Sequence, residues 1–274
     1  MNTFSVISEK EVGSTGVSRR DMLQKVAVGS VLFAVGSILP GCGGTSSDSI
    51  ANASVSDFDV LNFALNLEYL EAEFYAYATT GSGIDALGIG TGGTGASGPT
   101  TGGVKTTFTD SVTQAVANEI ASDERDHVTF LRTALGSKRI GKPAINLAAL
   151  GDFSTQSAFL ALARAFEDVG VSAYGGAARL INSRDLVEAA ARILAVEALH
   201  TGNIRLLIAQ QAVATTAVDA KDVVPPPTGT QYFSTTTNSL SVIRSTREVL
   251  NIVYAGTGGS GGFFPNGFNG AIRV

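Results

Sequence analysis

The chain contains four long stretches in which apolar residues recur every three or four positions, the spacing of one face of an α-helix. These stretches cover residues 57–79, 110–135, 154–181 and 183 or 185 to about 213. Gly136 marks the end of the second stretch, and Asn182 with Ser183 marks a tight turn between the third and the fourth. Four amphipathic helices of this length predict an all-α fold, a four-helix bundle over residues 57–213.

The remaining segments separate the helices or follow them. The Gly- and Thr-rich loop 81–103 is too long for an ordinary bundle connection, and it predicts a surface excursion or a lid. Residues 137–153 predict a long crossover between the second and third helices. Residues 214–274 form a predicted C-terminal extension with a short helix at 239–254. No convincing β-strand alternation occurs before residue 220.

Composition excludes several kinds of protein and of site. The 274 residues carry a net charge of −5, which argues against a nucleic-acid partner because such proteins present a basic patch. A single Cys excludes an intramolecular disulfide and a CxxC zinc site. Two histidines are too few for a three-His metal site within one chain, so the positions of these two are informative.

Both histidines occupy the same local pattern, with a Glu three residues before the His. Glu124 precedes His127 in the second predicted helix, and Glu197 precedes His200 in the fourth. At this spacing the two side chains share one face of a helix and can share a metal ion.

The other two predicted helices each carry a Glu inside an apolar stripe. These residues are Glu68 in the first helix and Glu167 in the third, and each is followed seven residues later by a Tyr, Tyr75 or Tyr174. The order of the four helices is therefore Glu, Glu-x-x-His, Glu, Glu-x-x-His. The chain reads as a duplicated helical hairpin.

The charge of this residue set predicts a metal centre. Four carboxylates in a bundle core would each cost several kcal/mol if left unpaired. Two divalent cations would balance the four negative charges. The oxygen and nitrogen donors suit iron or manganese, and zinc also accepts them, whereas no thiolate is available to select copper(I) or an iron–sulfur cluster.

One Glu on each of two helices and Glu-x-x-His on the other two resembles the di-iron or di-manganese carboxylate bundle of the ferritin-like superfamily. The sequence is most similar to the exported ferritin-like domain family that includes the desiccation-related proteins. Residues 61–75 and the late segment 263–267 carry that likeness. The resemblance implies a ferritin-like four-helix bundle with a long crossover, binding two iron ions or, alternatively, two manganese ions.

The resemblance also implies how the ligands divide between the two ions. One ion would be held by Glu68, Glu124 and His127, and the other by Glu167, Glu197 and His200. Glu124 and Glu197 are the candidate bridges between the ions. Asp123 matches the Asp-Glu-x-x-His form, in which the Asp hydrogen-bonds a ligand His. Val196 stands at the equivalent place in the fourth helix, so His200 is expected to lack such support.

For several residues near the candidate ligands, the sequence allows two interpretations. Glu71 lies three residues after Glu68 and could replace it as the ligand from the first helix. Tyr75 and Tyr174 are either plain core aromatics or groups that support the metal ligands or relay a radical. Glu73 and Glu119 are expected on solvated faces.

The N-terminal residues 1–41 are predicted to be an export signal rather than part of the fold. Residues 18–24 resemble the twin-arginine consensus, and the apolar run 26–39 is shorter than the roughly 20 residues that a membrane span needs. Cys42 follows in a segment that resembles a lipobox, which predicts its lipidation and membrane attachment; cleavage nearby or an uncleaved anchor are the alternatives. Residues 42–56 predict a flexible tether. The expected location is the periplasm or the outer face of the membrane.

Three functions are compatible with these features. The first is a di-iron centre that reacts with O2 or peroxide, as a ferroxidase or peroxidase-like oxidoreductase. The second is a di-manganese, catalase-like enzyme. The third is a non-catalytic envelope or desiccation-stress protein whose metal ions only stabilise the bundle. The sequence leaves the oligomeric state open, and it indicates no catalytic residue beyond the metal centre.

Overall fold

The computed structural model describes residues 55–274 and consists mainly of helices. Four long helices and one short helix follow each other in the chain: α1 (Asp57–Thr80), α2 (Ser111–Leu135), α3 (Gln156–Ala177), α4 (Arg184–Gln210) and α5 (Thr246–Val253). The prediction of an all-α bundle is confirmed. The predicted export signal 1–41, Cys42 and all but the last two residues of the predicted tether 42–56 lie outside the described residues.

Each long helix begins after a residue whose side chain accepts a hydrogen bond from the first turn, and these caps are Ser56, Asp110, Thr155 and Ser183. Because Ser56 caps α1, the last residue of the predicted tether already belongs to the helix start. The helix in the extension is shorter than the predicted span 239–254. Its start is fixed by Ser245 and Glu248, which form a reciprocal capping box.

The Gly-rich loop lies along the crossover that joins α2 to α3. Two short parallel strands pair the two segments, β1 (Thr100–Thr101) and β2 (Ile145–Asn146). The backbone N–H of Thr94 also donates to the carbonyl of Arg139, at 2.9 Å. The loop is therefore tied to the crossover by backbone hydrogen bonds rather than being a free excursion.

Helix α1 is largely enclosed, with 17 of its 24 residues buried. It packs chiefly against α2, whereas α3 packs chiefly against α4. The end of the C-terminal extension covers another side of α1, where Phe268 lies 5.6 Å from Phe63 between ring centroids. A helix covered on several sides is apolar nearly all round rather than amphipathic.

This enclosure makes one sequence expectation wrong. Glu73 on α1 was expected on a solvated face, but it is 1% exposed, and its carboxylate lies 3.2 Å from Nζ of Lys142 in the crossover. Its other oxygen accepts a hydrogen bond from the backbone of Ile84 in the Gly-rich loop. Glu119 on α2 is exposed, as expected. Within residues 55–274, no helix combines the length and the apolarity that a membrane crossing requires.

Buried arginines fasten the C-terminal extension to the bundle. Arg164 of α3 lies 2.6 Å from Asp222 of the extension, and Arg244 of the extension lies 2.7 Å from Asp219 and donates to the hydroxyl of Ser172. The backbone of the extension also passes directly over α3. It can do so because Gly176 has no side chain: a Cβ there would lie 1.8 Å from the carbonyl oxygen of Arg244.

We expect Gly176→Ala to destabilise the protein by about 1–3 kcal/mol, because the methyl group must displace the backbone of the extension. Gly202→Ala in α4 is the matched control, since a Cβ at Gly202 meets open space and Ala in a helix interior stabilises by about 0.5–1 kcal/mol relative to Gly. Thermal and denaturant unfolding of both variants measure the difference. Equal stability of the two variants would contradict the described path of the extension.

Candidate metal centre

The structure brings all six predicted ligands together at the centre of the bundle. The four carboxylates, Glu68, Glu124, Glu167 and Glu197, are fully buried, and His127 and His200 are 8% and 5% exposed. Two groups of four each have one ligand atom per residue within 4.8 Å of the others, and Glu124 and Glu197 belong to both groups. This is the arrangement expected if these two carboxylates bridge a pair of ions.

Both imidazoles turn the same nitrogen toward the carboxylates. Nδ1 of His127 lies 3.3 Å from an oxygen of Glu68 and 3.1 Å from one of Glu197. Nδ1 of His200 lies 3.2 Å from an oxygen of Glu124 and 3.4 Å from one of Glu167. The i, i+3 spacing on α2 and α4 thus places each Glu and its His on one inward face, as the sequence predicted.

The hydrogen bonding of the centre is incomplete in a way that fits metal ions. Eight of its buried atoms have no hydrogen-bond partner among the described residues: Oε2 of Glu68, both oxygens of Glu124, Nδ1 of His127, Oε2 of Glu167, both oxygens of Glu197 and Nδ1 of His200. Buried polar atoms are normally paired, so a group of eight needs an explanation. Two divalent cations would accept electron pairs from all eight and would balance four carboxylate charges. The donor set fits such ions.

The two tyrosines hold the carboxylates that are not shared between the groups. The hydroxyl of Tyr75 on α1 donates to Oε1 of Glu167 on α3, and the hydroxyl of Tyr174 on α3 donates to Oε1 of Glu68 on α1. Each of these carboxylates therefore keeps one oxygen facing the centre, whereas Glu124 and Glu197 keep two. The sequence left the role of the tyrosines open, and the structure shows that both are hydrogen-bonded to predicted ligands.

The structure corrects the predicted role of Asp123. Its carboxylate lies 3.1 Å from Nε2 of His200 across the bundle, so the fourth-helix His has the support it was expected to lack. The apolar Val196 next to Glu197 does not leave His200 unsupported, because the carboxylate that contacts His200 comes from α2. His127, whose side chain is 11% exposed, has no such carboxylate on its outer nitrogen within residues 55–274. The spacing within α2 shows that Asp123 lies near the centre but cannot show which imidazole it reaches.

Burial and mutual repulsion give the metal-free centre a high affinity for protons. Burial raises the pKa of Glu124 to about 7, and the charges of Glu197 and Glu68 add to the shift. Burial likewise raises the pKa of Glu197 to about 8, although His127 opposes the shift. Burial alone would lower the pKa of His200, but contacts with Glu124 and Glu167 raise it to about 12. These shifts favour protonation of the metal-free centre near neutral pH, and metal ions would have to displace those protons.

Glu71 is near the centre but is not part of the eight-atom group. Glu68 rather than Glu71 faces the other ligands. Glu71 is nevertheless 4% exposed, and burial together with repulsion by Glu197 raises its pKa well above the ordinary range. Its i+3 relation to Glu68 shows that it shares the inward side of α1, but no local pattern distinguishes a ligand from a buried neighbour.

Four helices around a buried set of four Glu and two His form a carboxylate bundle whose residues could hold metal ions. A family model described as a ferritin-like domain matches residues 56–210, and the chain belongs to this family.

Two relatives agree with this assignment. The chain is 23% identical over 287 residues to the ferritin-like catalase Nec2 of Nesocodon mauritianus, an alignment that covers 85% of this chain and 90% of that protein. It is 28% identical over 177 residues to the desiccation-related protein PCC13-62 of Craterostigma plantagineum, with 57% of this chain and 54% of that protein covered. The predicted relation to the ferritin-like superfamily and its desiccation-related members is confirmed.

We expect Asp123→Asn to weaken metal binding at the His200 side by about 10–100-fold, because the carboxylate orients the imidazole and raises its basicity. Binding at the His127 side should change little. A calorimetric titration of the metal-free variant with Mn(II) or Fe(II) would then show two binding steps. The affinity of one step would be reduced and that of the other would be close to the wild-type value. Equal weakening of both steps would show that Asp123 does not act through His200.

We also expect the metal-free protein to become less stable as the pH rises through neutrality. Between its ordinary value of 4.5 and about 8, Glu197 is protonated in the folded protein but ionised in the unfolded chain. His200 acts in the same direction above its ordinary value of 6.5. The folded state thus binds more protons, so raising the pH favours unfolding.

Melting temperatures of metal-free protein at about pH 5.5 and about pH 8 measure this effect. Glu197→Gln should reduce the difference between the two temperatures, because the amide cannot ionise. Glu119→Gln on the exposed face of α2 is the control and should leave the difference unchanged. A metal-free melting temperature that rises with pH would contradict the electrostatic description of the centre.

Proposed function

We propose that the protein holds two iron or manganese ions in this centre and disproportionates hydrogen peroxide, two molecules of which give two waters and one dioxygen. The observation that carries the proposal is the group of eight buried, unpaired donor atoms. The alignment with a ferritin-like catalase over most of both chains supports peroxide as the substrate. The reaction needs no external reductant, since one peroxide supplies the electrons that the other takes up.

Each residue of the centre has a definite part in this function. Glu68 and His127 would bind one ion, Glu167 and His200 the other, and Glu124 and Glu197 both. The bound ions would supply the two-electron redox change between the two peroxides. This ligand set serves iron and manganese alike, so the metal is decided by geometry and supply.

The surrounding residues keep the centre rigid and dry. Tyr75 and Tyr174 each fix one oxygen of a ligand carboxylate, which leaves the second oxygen directed at the centre. Asp123 fixes the ring of His200. The packed core around the carboxylates excludes bulk water, so charges within the centre interact more strongly than they would at the surface.

We further propose that the protein is exported by the twin-arginine route and acts at the cell envelope. The basis is the sequence of residues 18–24, the apolar run 26–39 and Cys42. Intact-mass analysis of protein from a membrane fraction distinguishes lipidated Cys42 from simple cleavage. A mass that corresponds to residues 1–274 without modification would contradict both.

Elemental analysis by mass spectrometry, on protein exported by its native route, tests the metal centre. We expect about two Fe or two Mn per chain, loss of the metal in Glu197→Ala, and retention in Glu119→Ala, whose side chain is exposed. The metal-loaded protein should evolve oxygen from peroxide, and Glu197→Ala should not.

Other outcomes separate the alternatives. Iron that is oxidised by O2 without oxygen evolution from peroxide would favour a ferroxidase. Bound metal without turnover, together with a large fall in melting temperature on chelation, would support a purely stabilising role. A native sample without transition metal would contradict the proposal.

A further inference from the structure

An apolar cleft leads from the surface toward the centre between α1, α3 and the C-terminal extension. Its walls include Leu67 of α1, Val169 of α3, and Val218, Ile252 and Phe263 of the extension. The volume of the cleft is about 30 Å³. A single water needs about 10–15 Å³ on this measure. The cleft therefore suits a molecule of about two heavy atoms and is too narrow for most organic substrates.

The inner end of the cleft carries its one carboxyl group and a glycine. Glu71 and Gly170 both line it. A Cβ at Gly170 would lie 3.0 Å from Oε1 of Glu71 and 3.2 Å from Oε2 of Glu197. At Gly170 the wall of the cleft thus lies within contact distance of a carboxylate that belongs to both groups of the metal centre.

Gly170 has no other evident reason to be a glycine. A glycine in a helix interior costs about 0.5–1 kcal/mol relative to Ala, so it usually has a packing or functional reason. In α3, Gly176 is explained by the backbone of the extension, and a Cβ at Gly175 would press on the side chain of Ile243. At Gly170 the nearest atoms are carboxylate oxygens instead. The missing side chain therefore lets two carboxylates lie against the backbone of α3 at the wall of the cleft.

We propose that this cleft is the entry route for the small oxidant of the centre, a neutral molecule of the size of peroxide or dioxygen, with Glu71 as the hydrogen-bonding group at the inner end. The inference rests on the proposed function and adds to it the path and the size limit of the substrate. An apolar wall admits a neutral molecule and disfavours hydrated ions. Glu71 offers the first polar partner where the molecule leaves that wall.

A second apolar cleft of similar size serves as the internal comparison. It opens between the start of α1 and the start of α4, with Phe63, Phe130 and Ile193 among its lining residues, and it ends at Tyr174. The hydroxyl of Tyr174 is already bound to Glu68, so the aromatic ring closes this cleft off from the ligand atoms. The first cleft is therefore the one that we assign as the route of a small molecule from the surface to the centre.

Three variants test the route. Gly170→Ala places a methyl group between the cleft and the two carboxylates. Val218→Phe narrows the cleft from the side of the extension, and none of the six predicted ligands lines the cleft. Gly202→Ala is the control, a helix glycine whose Cβ meets open space. Each variant is loaded with Fe(II) without oxygen, and its metal content is measured. The rate at which nitric oxide, a neutral molecule of two heavy atoms, binds the centre is followed by absorbance, and kcat/KM for peroxide is measured separately.

We expect both cleft variants to retain two metal ions while nitric oxide association and kcat/KM for peroxide fall about ten-fold, which corresponds to about 1.4 kcal/mol in the barrier. Gly202→Ala should match the wild type. Unchanged nitric oxide association in both cleft variants would overturn the route. If Gly170→Ala loses metal, the test of the route depends on Val218→Phe alone, because Val218 lies away from the predicted ligands.

The route and the proposed function can fail separately. A wild type whose nitric oxide binding is slowed by the cleft variants, but which does not turn over peroxide, would leave the route standing and overturn the catalase-like function. In metal-free protein, xenon should shift the methyl NMR signal of Ile252, and Val218→Phe should abolish that shift. Ile193, in the second cleft, reports independently on xenon there. No xenon response at Ile252 in the wild type would overturn the route without reference to metal or activity.

Discussion

The burial of four carboxylates at one point determines much of this structure. An isolated ionised carboxylate is unstable in a protein core, and here Glu68, Glu124, Glu167 and Glu197 are all fully buried. Two tyrosines each hold one oxygen of Glu167 and Glu68, whereas eight atoms of the centre, the Nδ1 atoms of both imidazoles among them, have no hydrogen-bond partner among the described residues. The result is a centre in which protons and any bound metal ions would compete for the same atoms. Occupation by metal should therefore add to the stability of the fold.

The C-terminal extension is the second determinant, because it turns a bundle helix into an interior helix. Phe268 and its neighbours cover α1 on a side that would face solvent in a bare bundle, and the buried pairing of Arg164 with Asp222 holds the extension on α3. The same extension supplies Val218, Ile252 and Phe263 to the cleft beside Glu71. It is thus part of the surroundings of the metal centre as well as a cover.

The sequence was sufficient to predict the features that depend on the residue spacing within a single helix. The pairs Glu124 with His127 and Glu197 with His200 follow from spacing alone, and so does the bundle. Features that depend on neighbouring helices were not accessible. The target of Asp123 depends on how α2 lies against α4. The burial of Glu73 depends on its ion pair with Lys142 in the crossover, and no pattern in the sequence near either residue predicts that ion pair.

The reciprocal hydrogen bonds of Tyr75 and Tyr174 have a consequence for the assembly of the centre during folding. Each tyrosine fixes the glutamate of the opposite hairpin rather than the one on its own helix. Neither hairpin can complete its half of the centre alone, so a correctly formed ligand set exists only after the two halves have docked. Any binding of metal to this set is thereby coupled to tertiary structure, and a chain that is still partly folded has no complete centre in which an ion could bind.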